Sequence, residues 1–185
     1  METSPLLRRA ARIIRGGGVI AYPTEAVFGL GCDPACDAAL ARLLAIKGRP
    51  AHAGFILIAA STAQLRGWIA PAPAEQRRLS ARTAQPVTWV VTAGPLATRV
   101  LTGGRATIAV RITAHPVAAA LCRAAAMPLV STSANIHGRP PARTALAARR
   151  RLGARLDLVM PGATGGQRRP TEIRNAMTGN VLRRG

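Results

Sequence analysis

Aromatic residues, acidic residues and cysteine are all scarce in this chain of 185 residues. Phe, Trp and Tyr make up 3% of it, so a hydrophobic core must be built mainly from Ala, Val, Leu and Ile. Asp and Glu total seven and form no cluster, so the chain offers no set of carboxylates with which to hold a metal ion. The three cysteines are odd in number and fit no disulfide framework, which favours free thiols in a reducing compartment.

Long apolar runs are also missing. A helix needs about 20 apolar residues in a row to cross a bilayer, and no stretch of this sequence approaches that length. Arginines interrupt the apolar pattern near the N-terminus, as in an ordinary amphipathic helix and unlike an export signal. These features predict a cytoplasmic protein that does not contact a membrane. The length suits a single domain spanning residues 1–185.

Positive charge is abundant, and arginine supplies nearly all of it. The formal net charge is +19, and Lys47 is the only lysine among 26 basic residues. Such a balance favours binding to polyanions, with nucleic acid as the first candidate, although a general enrichment in Ala and Arg would produce the same charge. A compact ammonium group is not equivalent to a planar guanidinium, so a functional need for Lys47 and its chance survival both remain open.

Strand and helix patterns alternate in the first half of the chain, and hairpin patterns occur in the second. Apolar runs of strand length lie at residues 19–22, 55–60, 87–92, 106–112, 129–132 and 157–160, and residues 171–183 read as a hairpin. Helical spacing covers residues 5–15, 37–46, 73–83, 115–126 and 142–152, and residues 94–105 read as a loop. This pattern predicts an α/β (α+β) fold in which helices pack around a twisted, mixed parallel and antiparallel sheet.

Two polar segments follow predicted elements and could form one site. Lys47 and Arg49 follow a helix, whereas Ser133 and Asn135 follow a buried strand. Ligands of α/β sheets commonly bind beyond strand ends, where such groups can converge. A point charge and a guanidinium fork suit a polyphosphate, and a hydroxyl and an amide can orient it. Taken singly, the first segment is also compatible with a plain basic loop and the second with a helix cap and turn.

Five motifs occur along the chain, and in chain order they are YPTEAVFGLGCDP, KGRP, TIAVRI, PLVSTSAN and TEIRNAMTGNVLRRG. In these motifs the chain resembles the YrdC-like family. Within it they are most similar to the short bacterial threonylcarbamoyl-AMP synthases, and the resemblance extends from about Leu7 to Gly185. It implies a YrdC-like (DHBP synthase-like) fold with a central concave basic cleft.

The resemblance also implies an activity. Family members are nucleotidyltransferases that join L-threonine, bicarbonate and ATP into threonylcarbamoyl-adenylate and release pyrophosphate. The product serves the modification of tRNAs that read codons beginning with A, through the transferase proteins TsaD, TsaB and TsaE. Mg²⁺ would be held mainly by the ATP phosphates. At the matching positions, Lys47 and Arg49 would be catalytic and would bind ATP. The rest of the nucleotide site would be Thr107, Ser133, Asn135 and Arg183. The threonine-binding positions would be Thr24, Arg111 and Thr171.

The chain departs from longer relatives in two respects. A histidine often ends the strand after the KGRP segment in those proteins, whereas Ala59 and Ala60 stand here. Their extra C-terminal domain is missing, so we expect no closure of the site by such a domain. Glu25 is the one acid near the motif and could steer the threonine ammonium, accept its proton, or make a structural hydrogen bond.

Two other functions compete with the synthase. One is a non-enzymatic factor that binds double-stranded RNA or tRNA during maturation, which the charge of +19 favours. The other is a carbamoyl-adenylate domain of hydrogenase maturation, although those domains belong to much longer chains.

Overall fold

The first half of the chain alternates strands with helices. The structure, a computed structural model, describes residues 4–81, 83 and 85–185. Ser4 caps the first helix by accepting a hydrogen bond from the Leu7 amide. The elements in this half are α1 (Pro5–Arg15), β1 (Ile20–Pro23), β2 (Phe28–Gly31), α2 (Asp37–Lys47), β3 (Ile56–Ala59) and α3 (Pro73–Ser80), with 3₁₀ turns at Ala51–Ala53 and Thr62–Leu65.

The second half is richer in strands. Its elements are β4 (Val87–Thr92), α4 (Arg99–Thr102), β5 (Thr107–Ile112), α5 (Pro116–Ala125), β6 (Leu129–Ser133), α6 (Ala145–Leu152), β7 (Leu158–Val159), β8 (Glu172–Asn175) and β9 (Val181–Arg183), with a 3₁₀ turn at Gly153–Arg155. The hairpin expected over residues 171–183 is formed by the antiparallel pair β8 and β9.

The described strands form one mixed sheet in the order β7-β1-β2-β6-β3-β5-β4-β8-β9. The pairs β1/β7, β3/β5 and β4/β8 are parallel, and the remaining neighbours are antiparallel. The α/β architecture with a mixed sheet is therefore confirmed.

Apolar side chains cover both faces of this sheet. Successive residues of a strand point to opposite faces, so Leu57 and Ile58 of β3 belong to two different cores. Helices α1 and α5 pack on the face of Ile58, and Leu40 and Leu43 of α2 pack on the face of Leu57. Burial of each Leu or Ile side chain stabilises the folded state by about 1.5–3 kcal/mol. The two cores therefore hold in place the strands whose ends carry the site.

Three expected boundaries were wrong. The segment 94–105 is not wholly a loop, since it contains the one-turn helix α4, which Leu101 anchors by its burial and Gly103 ends in the left-handed conformation. A single turn is too short to show helical periodicity. Helix α6 begins at Ala145 after its cap Thr144, because the Ala142 backbone is already paired with Phe28 and Ala134. Helix α3 ends at Ser80, and Arg82 lies outside the described residues.

The cysteines are free thiols, as expected. Cys32 and Cys122 are buried, and burial raises the pKa of each thiol to about 12. Over the residues that the structure describes, we find no helix with the length and apolar character required to span a membrane.

Candidate active site

The turn between β1 and β2 forms one wall of the site. The Thr24 hydroxyl donates to the Val27 carbonyl at 2.7 Å, which closes the turn on itself. A glycine-rich segment, residues 161–170, lies against it: the Gly165 amide donates to Thr24 O, and the Gln167 amide donates to Glu25 O, both at 3.0 Å. A Cβ on Gly165 would lie 3.1 Å from the Glu25 backbone, so glycine permits this close approach.

The two polar segments singled out in the sequence meet at Lys47. Its ammonium group donates to Ser133 O at 2.6 Å and to Asn135 Oδ1 at 2.9 Å, and lies 3.4 Å from Ser133 Oγ. The His137 amide donates to Lys47 O at 2.7 Å, so the backbones are joined as well. The end of α2 and the loop after β6 are thus one connected unit, although 86 residues separate Lys47 from Ser133 in the chain.

Burial changes the chemistry of Lys47. The residue is 3% exposed, and burial together with the positive charge of Arg49 lowers its pKa to about 8. A triphosphate brought close would favour the charged form again. The site therefore binds an anion most strongly when Lys47 is protonated.

A cavity of about 520 Å³ opens between β5, β6, the β1–β2 turn and the C-terminal hairpin. Most of the residues predicted for the site line it: Thr24, Arg49, Thr107, Arg111, Ser133, Thr171 and Arg183. Lys47 and Asn135 do not line it and lie behind Ser133. Asn135 also holds its own loop, since its amide donates to Ile136 O at 2.9 Å and to Arg139 O at 2.7 Å.

Arg111 organises one end of the cavity. Its Nη1 donates to Thr171 Oγ1 at 3.0 Å, and its Nη2 lies 3.4 Å from Glu25 Oε2. Its Nε is buried and has no hydrogen-bond partner among the described residues.

Glu25 is a structural partner of Arg111. Its Oε1 accepts from Thr113 Oγ1 at 2.7 Å and from the Ala114 amide at 3.2 Å. Burial opposes its charge, but Arg111 and these hydrogen bonds outweigh it, so the pKa of Glu25 lies below its usual value. The carboxylate therefore bonds to the chain that follows β5.

Four arginines give the cavity a strongly positive lining: Arg49, Arg105, Arg111 and Arg183. Burial is the main cause that lowers the pKa of Arg49, followed by the positive charges of Arg105 and Arg183. Burial and then the charge of Arg111 lower the pKa of Arg183. Arg105 was not among the site residues predicted from the sequence. Its position directly after Gly103-Gly104 and before the TIAVRI motif could have indicated it.

The described residues offer no protein site for a divalent cation. Within the described part of the chain, no three His, Cys, Asp or Glu residues lie together as metal ligands would. Glu25, which pairs with the cavity residue Arg111, is already engaged by that guanidinium and by the donors after β5.

Comparison with known proteins identifies the family. The family model of the Sua5/YciO/YrdC proteins, described as "Telomere recombination", matches residues 12–185. The chain belongs to this family. A curated protein of Halorhodospira halophila, threonylcarbamoyl-AMP synthase, is 55% identical over 96% of this chain and 94% of its own length. The protein of the same name from Nitrosococcus oceani is 54% identical over 96% of both chains.

A solved member of the Sua5/YciO/YrdC family shares the fold. The crystal structure of P. abyssi Sua5 complexed with L-threonine superposes with a TM-score of 0.85 at 32% identity. The match covers 91% of this chain and 50% of the P. abyssi chain, so this chain spans about half of that protein.

Proposed function

We propose that this protein is a threonylcarbamoyl-AMP synthase, which condenses L-threonine, bicarbonate and ATP to threonylcarbamoyl-adenylate and pyrophosphate. The observation that carries the proposal is the single cavity that has Arg111, Thr171 and Thr24 around one end and Arg49, Thr107 and Ser133 along the rest. Two relatives that bear this name are 54–55% identical to this chain, and the match covers nearly their whole length.

The amino acid would bind at the Arg111 end. The Arg111 guanidinium, which lines the cavity, suits the carboxylate of threonine, and Thr171 and Thr24 line the same cavity. Glu25 keeps the guanidinium in place and offsets part of its charge. In this proposal Glu25 is a positioning residue and not a general base.

The nucleotide would bind between Arg49, Thr107, Ser133 and Arg183. Lys47 would act from behind Ser133, both by holding the loop and by placing a positive charge next to the phosphates. Asn135 fixes the ammonium group. Lys47 and Arg49 are thus the residues that we assign to catalysis.

The reaction needs charge neutralisation more than acid–base catalysis. The amine of threonine and bicarbonate give a carbamate and water; a carbamate oxygen then attacks the α-phosphorus of ATP while the bond to the leaving pyrophosphate breaks. Both reactants are anions, so fixed positive groups lower the barrier by alignment and electrostatic stabilisation. The arginines of the cavity and Lys47 supply these groups.

The reaction also needs a metal ion and a partner that consumes the product. No Asp or Glu stands among the described residues that line the cavity, so Mg²⁺ would arrive on the ATP phosphates and keep its water ligands. We propose that the adenylate passes to a transferase assembly of the TsaD, TsaB and TsaE type, which modifies tRNA in the cytoplasm, and that tRNA or other RNA can contact the basic surface.

The test is product formation by the purified protein. Incubated with threonine, bicarbonate and ATP in the presence of Mg²⁺, it should release pyrophosphate and yield the labile adenylate, detected by mass. Lys47→Ala should lower the rate at least about 100-fold, as is common when a group that stabilises transition-state charge is removed. Pyrophosphate release that does not depend on threonine, or near-normal turnover by a folded Lys47→Ala variant, would contradict the proposal.

A further inference from the structure

Arg105 is held rigidly at the end of the cavity where β5 begins. Its Nη1 donates to His52 O and its Nη2 donates to Ala53 O, each at 3.2 Å. The two acceptors belong to the 3₁₀ turn Ala51–Ala53, which follows the KGRP segment. An exposed arginine is usually mobile, whereas this one is fixed to the backbone by two hydrogen bonds.

Two glycines make room for this guanidinium. A Cβ added to Gly54 would lie 2.7 Å from Arg105 Nη2, and a Cβ added to Gly103 would lie 2.8 Å from it. Both glycines have φ of +64°, a conformation that other residues rarely adopt. A Cβ on Gly103 would also clash with His52 O, so the two glycines bring the backbone of the 3₁₀ turn close and form a seat in which the guanidinium reaches both carbonyls.

Arg49 shares the same anchor. Its Nη2 donates to Ala53 O at 3.1 Å, so two guanidinium groups bond to one carbonyl oxygen. No carboxylate lies among the described residues that line the cavity, so nothing there compensates the pair. Like charges fixed side by side repel, and an anion of two or more charges bound between them would remove that repulsion.

The pair lies far from the proposed threonine end. Thr107 and Arg111 stand at opposite ends of β5, and four steps of about 3.3 Å separate them by about 13 Å. Arg105 precedes the Thr107 end of β5 and bonds to the 3₁₀ turn Ala51–Ala53. Arg111, in contrast, bonds to Thr171. Phosphates bound at Arg105 would therefore be the ones most distant from the carbamate that attacks the α-phosphorus.

We propose that Arg105, together with Arg49, binds the β- and γ-phosphates of ATP and the pyrophosphate that leaves. This inference rests on the proposed function and adds a residue to it. As the carbamate oxygen forms its bond to the α-phosphorus, the bond from the α-phosphorus to the bridging oxygen breaks. The electron pair of that bond goes to pyrophosphate, whose growing charge the two guanidinium forks neutralise.

Direct binding measurements test this assignment. Calorimetry with ATP, AMP and inorganic pyrophosphate should show that Arg105→Gln weakens ATP and pyrophosphate binding about tenfold, in line with the loss of a charge-assisted contact, and changes AMP binding less than about twofold. Arg105→Lys, which keeps the charge but loses the fork, should fall between Arg105→Gln and the parent. Arg99→Gln is the matched control, because Arg99 is an exposed residue of the neighbouring α4 that does not line the cavity.

The outcomes separate this inference from the function on which it rests. If the parent binds none of the three ligands, the proposed function itself fails, and the inference with it. If the parent prefers ATP to AMP and Arg105→Gln keeps that preference, only the role of Arg105 is rejected. Equal losses of AMP and ATP would also reject it, since they would indicate general damage. Should Arg105→Gln fail to fold, Arg105→Lys with parental pyrophosphate affinity and parental preference would overturn the fork-binding role.

Discussion

Glu25 shows how one buried acid can serve a cavity built for anions. It accepts hydrogen bonds from Thr113 and Ala114 and pairs with Arg111, so it ties the β1–β2 turn to the end of β5. Removing one partner of a buried pair leaves the other charge uncompensated, which costs far more than the pair itself contributes. Glu25 therefore matters for stability as well as for the position of Arg111.

Glu25→Gln should destabilise the protein by about 3 kcal/mol near neutral pH, because Arg111 would lose its buried counter-charge. The pKa of Glu25 is lowered in the folded state from its ordinary 4.5. The contribution of Glu25 to folding stability is therefore fully present at pH values above its ordinary pKa, and it is lost as the pH falls through the folded-state pKa. Chemical unfolding of parent and variant, from neutral pH down to about pH 3, should show the two stabilities converging in acid.

The matched control is Glu172→Gln. Glu172 pairs with Arg174 on the same strand, and both side chains are partly exposed. Exposed pairs contribute about 0–1 kcal/mol, so this variant should be nearly neutral. Equal effects of the two substitutions, or a Glu25→Gln cost that persists unchanged in acid, would contradict the assigned ion pair.

Lys47 should make nucleotide binding depend on pH. With a pKa of about 8, its ammonium form is lost as the pH rises through that value, so ATP affinity should fall by up to about tenfold per pH unit above it. Bound phosphates raise the pKa, so ATP binding near pH 8.5 should take up about one proton. Calorimetry in two buffers of different ionisation enthalpy measures that uptake.

Lys47→Arg is the informative comparison for this pH dependence. Arginine stays charged throughout the range, so the variant should bind ATP more weakly but with an affinity that is nearly constant with pH. A parent protein whose ATP affinity is the same at about pH 7 and pH 9 would contradict the role of Lys47 as a titrating charge.

The end of helix α2 sets the position of both Lys47 and Arg49. Gly48 adopts the left-handed conformation with φ of +57°, and the Arg49 amide donates a hydrogen bond to Leu44 O at 3.2 Å. A Cβ on Gly48 would meet nothing within 4 Å, so the demand for glycine is purely conformational. The helix end thus turns the chain sharply between the two basic residues.

Gly48→Ala should cost about 1–2 kcal/mol, the penalty for a left-handed residue with a Cβ, and so lower the melting temperature by several degrees. We also expect kcat/KM for ATP to fall by about tenfold or more, because displacement of the cations weakens charge stabilisation. Gly48→Asn should cost less, since asparagine tolerates this conformation better.

The same substitution elsewhere provides the control. Gly153 has φ of −53° and ψ of −43°, ordinary helical values, so Gly153→Ala should leave stability unchanged or raise it slightly. If Gly48→Ala matched Gly153→Ala in melting temperature and kinetics, the helix end would not position the site.

Strands and long helices were predictable from the sequence, whereas the contacts between distant segments were not. Burial on both faces made β3 a continuous apolar run. The convergence of the KGRP and Ser-Thr-Ser-Ala-Asn segments followed from their places at the ends of α2 and β6. The seat of Arg105 depends on Gly54 and Gly103, and local patterns do not reveal such long-range packing. The pairing of Glu25 with the end of β5 likewise required the three-dimensional arrangement.

A net charge of +19 acts on the molecule as a whole. Its arginines extend far beyond the cavity, for example along α6, where Arg150 and Arg151 are exposed. Dispersed charge attracts any polyanion and provides no means to distinguish sequences. We therefore expect RNA binding to be separable from catalysis.

Affinity for RNA should depend on salt and not on sequence. If about six phosphates are contacted, binding should weaken by roughly 10³-fold between about 50 and 200 mM salt, and tRNA and an unrelated RNA of equal length should bind alike. Formation of the adenylate should persist at about 0.3 M salt without RNA, because its charges act at close range inside the cavity. Fluorescence anisotropy with labelled RNAs and pyrophosphate release, measured over one salt series, follow the two properties together. Selective tRNA binding that survives about 0.3 M salt while pyrophosphate release is absent at every salt concentration would instead identify a non-enzymatic RNA-maturation factor, since purely electrostatic binding is largely lost there.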